Sequence, residues 1–311
     1  MSARPSVSVI ICSRNRARLL TAALASVMQQ DYPPSHFEVV VVDNGSTDDT
    51  ARVVSTLSGQ AAPMRYIYRK EPGLGGARND GARASRYEIL AYIDDDALAS
   101  PTWLSAITST FDSVGGEVVA LGGLTSVVWE EAPPKWLTPR FMPYFSGTDK
   151  LGDSRRLLSD DEYPVGTNLA VRRQALETVG GFDETLTRYN DEIDVCRRLR
   201  RSGGRIWFEP EARVVHRIVG DRLTRRSMLM RGFWQGYSDV VIGLPRPGLV
   251  SSSDLQSACV LASQSAFDVL LASVALLQRR PDESMWHLFL ASGRMGRLRA
   301  HLSYSAHNRI Q

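Results

Sequence analysis

The chain has 311 residues and a net charge of only +3, with 43% apolar and 23% charged residues, the balance of a soluble globular protein rather than a fibrous or disordered one. So little net charge argues against a polyanion binder, and no nucleic-acid partner is expected. Cys12, Cys196 and Cys259 are odd in number and far apart, so they form neither a disulfide framework nor a metal-binding pair, and a reducing, cytoplasmic setting is expected.

The N-terminus, MSARPSVSVIICSRNR, lacks a long apolar stretch and leads straight into a strand, so no signal peptide is expected. Val7–Ile11 is a β-branched run closed by Cys12, Ser13 and the cations Arg14 and Arg16. Arg16–Met28 then carries Leu19, Leu20, Ala23, Leu24 and Val27 at helical spacing. Glu38–Val42 is apolar without alternation, which marks a strand buried on both faces of a parallel sheet. It runs into Asp43-Asn44-Gly45-Ser46-Thr47, where glycine permits a tight turn before a helix to Leu57. Arg65–Tyr68 is a weaker third strand, followed by GLGGARN and a helix to about Ser85. Glu88–Asp96, EILAYIDDD, starts as a buried strand and ends in three carboxylates, and a helix follows Pro101. Four strands alternating with helices predict an α/β fold with a doubly wound, mostly parallel sheet.

Gly122–Tyr163 is rich in tryptophan and proline and reads as an irregular segment, either an acceptor-side lid or a packing loop. Structure resumes at Val165–Val171 and in a short helix, Arg172–Val179. Asp191–Arg201 is a helix stopped by Gly203-Gly204, and Arg205–Phe208 and Arg213–Val215 are strands. Between Arg197 and Arg231 eleven arginines face only Glu209, Glu211 and Asp221. That excess suits phosphate, an anionic membrane or a solvated face. From about Asp221 the chain reads as helical. Leu255–Leu277 is apolar enough to raise a membrane question, yet Asp268 lies near its middle. Gln256, Ser257, Gln264 and Asp268 gather on one side, which favours an amphipathic helix, packed on the domain or lying on a membrane surface, over a span.

The chemistry is concentrated where strands end. Ser13-Arg14, Asp43, Gly75 to Arg78 and Asp94-Asp95-Asp96 follow successive strands, so in a parallel sheet all four lie along one edge, the edge where open α/β sheets bind ligands. Together they offer a carboxylate for a base imide, cations for phosphate and acids for a hard divalent cation, Mg²⁺ or Mn²⁺, which would offset the repulsion among the three aspartates. The glycine stretch is not the dinucleotide fingerprint, because Arg78 stands where the third glycine belongs, and a phosphate-binding P-loop sequence is missing.

The series VSVIICSRNR, VVVVDNGSTDDT, GLGGARNDGA, YIDDDAL, GTNLAVRR, GGFDE and DEIDVCRRL resembles the inverting family 2 glycosyltransferases with the GT-A fold, in the family's own order from about Val7 to His216. The resemblance implies a GT-A domain at 1–220 (a Rossmann-like nucleotide-sugar half at about 1–121 and an acceptor half at about 122–220) and a helical extension at 221–311. It implies that Asp43 contacts the base and Arg78 the base or phosphate, that Asp95 lies near ribose, and that Asp94 to Asp96 form the DxD-type motif with Asp96 as direct metal ligand. His216 corresponds to a further metal or phosphate contact in some relatives, against the alternative of a structural histidine. The family's Glu-Asp pair appears here exchanged, as Asp191-Glu192. By position Glu192 replaces the base, while Asp191 is close enough to share the role. Asp183 falls in the family's acceptor-side loop. The implied activity is metal-dependent transfer of a sugar, with inversion, from a nucleotide-diphosphate sugar to a hydroxyl of a saccharide, lipid-linked or small-molecule acceptor, in the cytoplasm or at the inner face of a membrane. The alternatives are a sugar-phosphate nucleotidyltransferase, which would carry a glycine-rich, lysine-containing loop after its first strand, and a non-catalytic nucleotide-sugar-binding module.

Overall fold

A computed structural model describes residues 4–59, 61–186, 189–243 and 255–307. They form two compact units, Met1–Val128 with Pro143–Arg217, and Trp129–Met142 with Ile218–Gln311.

The first unit is built on a nine-stranded sheet. Strands β1 (Val7–Ser13), β2 (Phe37–Asp43), β3 (Met64–Tyr68) and β4 (Ile89–Ile93) lie in the order β3-β2-β1-β4, all parallel. Every residue of β2 and β4 is buried, as unalternating apolar runs require. Helix α1 (Ala17–Met28) buries Leu20, Leu24 and Val27 against one face, and α2 (Thr50–Leu57) adds Val54. On the other face α3 (Leu74–Ala84) lies so close to β1 that any side chain at Gly81 would collide with Ile10. Ser13 is in register with Asp43, and Asp43 with Tyr68, so the strands end level.

Beyond β4 the sheet changes character. The elements are β5 (Ala97–Ala99), α4 (Trp103–Ser113), β6 (Val118–Trp129), β7 (Arg156–Leu157), β8 (Asn168–Arg172), α5 (Arg173–Thr178), α6 (Asp191–Arg201) and β9 (Arg205–Ile218). Strand β8 pairs antiparallel with both β4 and β6, and β9 antiparallel with β5 and β7. Two expectations change here. The segment read as irregular from Gly122 begins as strand, since β6 runs to Trp129. The two strands expected around Pro210 are one, because Pro210 sits inside β9 without ending it. Part of the arginine excess is consumed internally. Arg200 donates to the carbonyls of Ser159 and Glu162 at 2.8 and 2.6 Å, and Arg198 to Asp194 and to the carbonyl of Gly181.

In the second unit, α7 (Arg225–Val241), α8 (Leu255–Leu277) and α9 (Pro281–His307) pack with α9 between the other two. A side chain at Gly236 or Gly296 would run into the opposing backbone, so α7 and α9 meet backbone to backbone. Trp136 and Phe141 belong to this unit, Phe141 meeting Trp286 and Phe289 edge-on at 5.3 and 5.5 Å. Of the polar residues expected on one side of α8, the side chains of Gln256 and Ser257 lie outside the described residues. Asp268 is buried and paired with Arg294 of α9.

A buried amide joins the two halves of the sheet. Asn168 accepts from Trp103 Nε1 at 2.9 Å and donates to the carbonyls of Ala212 and Leu124 at 2.8 and 3.3 Å. Asn168→Ala strands three buried groups, each worth about 1–3 kcal/mol when left unpaired. The variant is expected to lose at least that much in urea denaturation, with no change in surface charge.

Candidate active site

The level strand ends gather acids. Asp43 closes β2, its carboxylate accepting from Ser46 N at 2.8 Å and from Tyr66 Oη at 2.6 Å. Gly45, at φ 78°, makes the turn that brings Ser46 N back. Asp94, Asp95 and Asp96 follow β4 directly, and each carboxylate has its own holder. Thr167 Oγ1 donates to Asp94 at 2.6 Å, and Ser13 Oγ donates to Asp95 at 2.7 Å. Arg16 bridges Asp95 and Asp96 at 3.1 and 2.8 Å. Burial pushes the Asp95 carboxyl up to about 6, with the Asp96 and Asp94 charges adding to it and Arg16 and Ser13 opposing.

Arg78 projects from α3 into the middle of this group. It is 4% exposed, pairs with Asp191, and lies 3.5 Å from Asp94. Gly166 leaves room for its guanidinium, which a side chain there would strike. The ring of Phe182 lies beneath, 5.5 Å away. Burial alone would lower the Arg78 pKa, but the charges of Asp191, Asp94 and Glu192 hold it above its usual value.

Asp191 and Glu192 open α6 after Asn190, which adopts a left-handed φ of 67°. Asp191 is buried and held by Arg78, whereas Glu192 is half-buried. Burial pushes the Glu192 carboxyl up to about 8; the Asp191 charge adds to this and Arg78 opposes it. Asp194 is engaged elsewhere, with Arg198.

His216 on β9 stands opposite Ala97 and reaches the last of the three acids. Its Nδ1 lies 2.9 Å from the carbonyl of Phe145, an acceptor, so Nδ1 carries the hydrogen. Nε2 then faces Asp96 Oδ1 at 3.2 Å. An imidazole nitrogen and a carboxylate oxygen so placed fit a divalent cation between them. Among the described residues no group of three such ligands converges. The protein would thus supply two donors and leave the rest to water and phosphate, the usual way Mg²⁺ or Mn²⁺ is held with nucleotides.

Other sequence-selected residues are placed differently. Arg14 is exposed, while Arg16, noted in the sequence only as a cation after the first strand, reaches the acids. Gly75 serves packing, since a side chain there would lie 2.7 Å from the carbonyl of Asp183. Asp183 turns its carboxylate onto Thr185, accepting from its N and Oγ1 at 2.9 and 2.7 Å. Thr167 lay within a quoted motif but carried no chemical signal, and Tyr66 carried none.

Comparison with known proteins supplies the class to which this mixed α/β sheet, with acids on its strand ends, belongs. The family model for glycosyl transferase family 2 matches residues 8–180. The chain belongs to that family and is a glycosyltransferase, which sets aside the nucleotidyltransferase and the non-catalytic module. It is 28% identical over 250 residues to the glucosyl-dolichyl phosphate glucuronosyltransferase of Haloferax volcanii, covering 78% of each chain. It is 30% identical over 224 residues to the validoxylamine A glucosyltransferase of Streptomyces hygroscopicus, covering 64% of this chain but only 49% of that one, so it spans about half that relative's length. Among solved structures, a mannosyltransferase from Pyrobaculum calidifontis in complex with GDP-Man and Mn²⁺ superposes with a TM-score of 0.63 at 21% identity, covering 94% of this chain and 88% of that one. This confirms the GT-A fold.

Arg78 is the cation on which the buried acids depend. Arg78→Met should leave Asp191 buried without a counter-charge and cost about 3–5 kcal/mol. A lowered midpoint in urea with a native-like circular dichroism spectrum before the transition is the expected result.

Proposed function

We propose that the protein transfers a sugar from a nucleotide-diphosphate sugar to an acceptor hydroxyl with inversion, using Glu192 as the base. The observation that carries this reading is the division of labour within the Asp191–Glu192 pair. Asp191 is neutralised by Arg78, and Glu192 is the more exposed partner, with a proton affinity raised toward neutrality. A base with a pKa near the working pH takes up a proton most usefully. The exchanged order thus keeps the base at its family position and uses the shorter aspartate as the partner of Arg78.

In this reading Asp43 receives the base of the donor, and the Ser46 amide and the Tyr66 hydroxyl orient its carboxylate. Asp95 lies near the ribose. Arg78 acts as a positioning residue that fixes Asp191 and Asp94. Asp96 and His216 hold a divalent cation, which when bound supplies charge neutralisation for the leaving diphosphate. The nitrogen donor suits Mn²⁺ better than the harder Mg²⁺, and the Mn²⁺ of the Pyrobaculum complex supports a divalent cation at this fold's donor site. Glu192 removes the acceptor hydroxyl's proton as that oxygen attacks C1. The bond from C1 to the diphosphate oxygen breaks with its electrons on the diphosphate. One displacement gives inversion. The acceptor is a saccharide, a small molecule or a lipid-linked hydroxyl, the last met at the inner face of a membrane.

Glu192→Gln should lower kcat at least 100-fold, as loss of a general base does, with little change in donor affinity. Full activity in this variant would sink the assignment. Wild-type kcat should rise with pH up to an apparent pKa near 8 that belongs to the carboxyl pair. Stability runs the other way. The folded-state pKa is raised, so the contribution of protonated Glu192 is complete below about 4.5 and is lost as pH rises through about 8. At pH 9 Glu192→Gln should therefore melt above the wild type. Donor binding is tested by thermal shift with UDP, GDP, dTDP and CDP, each with Mn²⁺ and with EDTA. A diphosphate at a hundred times its Kd adds about 2.7 kcal/mol, and stabilisation that survives EDTA unchanged would remove the cation from the site.

A further inference from the structure

Helix α8 is built inside out for a helix in water. Its single charge, Asp268, is buried against α9, paired with Arg294 and 3.4 Å from His287 Nδ1. Ser265 Oγ donates to the carbonyl of Ala291, also on α9. The outward side carries Val260, Phe267, Leu270, Val274, Leu276 and Leu277, with Phe267 and Leu270 each 58% exposed and Leu277 85%. Between Cys259 and Leu277 no exposed position is charged. Leu261, Ala272 and Ala275 also face inward, but a water-facing helix would carry charged residues on its outer side, where α8 has none.

We propose that this outer face of α8 lies in a lipid bilayer, parallel to its plane and sunk to the level between headgroups and acyl chains. Three observations select lipid. The first is width. At 100° per residue the exposed, uncharged positions cover roughly 200° of the helix circumference, whereas one partner helix covers about 100°. A second copy of α8 would leave half of the face in water, while a lipid surface wets all of it. The second is the rim. Arg279 and Arg280 lie just past Leu277, after Gln278, and are exposed, placing cations where anionic headgroups would meet them. The third is orientation. The remaining arc of α8 carries the Asp268–Arg294 pair and packs on α9. The helix therefore presents one side to lipid rather than its whole circumference, although Cys259–Leu277 is long and apolar enough for a span.

The test is flotation of the purified full chain with phosphatidylcholine vesicles and with equimolar phosphatidylcholine–phosphatidylglycerol vesicles, without donor or acceptor. Its result is thus independent of the catalytic reading. The wild type should float with the anionic vesicles and be released by alkaline carbonate. Phe267→Glu with Leu270→Glu, both at exposed positions, should cut the floated fraction at least tenfold while the melting temperature stays unchanged. Arg279→Gln with Arg280→Gln should weaken binding only to the anionic vesicles. A wild type that stays unbound with both vesicle types overturns the proposal. So does a dimer, seen by light scattering, that the double glutamate variant dissolves without any vesicle binding. Resistance to carbonate extraction would overturn the in-plane orientation in favour of a span.

Discussion

Everything at the strand ends depends on balancing negative charge in a buried space. Asp94, Asp95, Asp96, Asp191 and Glu192 crowd one edge of the sheet; two arginines hold them, and His216 stands beside Asp96. Arg78 carries the largest share. It ties the first turn of α6 to the acids after β4, and it fits only because residue 166 is a glycine. Such buried pairs do little for net stability, since desolvation offsets the attraction. Their consequence is geometric: two elements distant in sequence are held in one register around the place where a sugar would react.

The same charge balance accounts for the exchanged pair. With Arg78 committed to Asp191, the neighbouring Glu192 is left in a desolvated position beside a like charge, and both effects hold its proton. The arrangement is unfavourable for folding at alkaline pH and, in the proposed role, suits proton abstraction near neutrality. At Asp96 the logic differs. The lone pairs of Asp96 and His216 converge and repel unless a cation lies between them, and the Phe145 carbonyl fixes the imidazole tautomer.

The helical unit follows another rule. Its α7–α9 contact is made by glycines and its α8–α9 contact includes a buried ion pair, so packing there adds close backbone approach and polar pairing to apolar burial, while large apolar side chains of α8 also remain outside. Where the hydrophobic effect would normally turn those side chains inward, the outward face is the one that the proposed bilayer contact would cover.

Much of this was legible in the sequence. Unalternating runs announced the parallel strands, glycines and prolines marked their ends, and helix α6 begins and ends where its acids and glycines said it would. Acids read after successive strands do gather at one edge, because a parallel sheet brings all its carboxyl ends to one side. These are local signals, periodicity and turn chemistry, and they survive folding unchanged. What the chain order concealed is what contacts across long separations decide. Arg16 rather than Arg14 meets the acids 80 residues away; Asp183 spends its carboxylate on its own turn; residues 129–142 join the C-terminal helices. The sequence by itself determined the first four strands, their parallel direction and the edge where the acids gather. Only the tertiary structure decided which cation neutralises which acid, and hence which of two adjacent carboxyls keeps its proton, because that depends on burial and on distances through space that no spacing along the chain encodes.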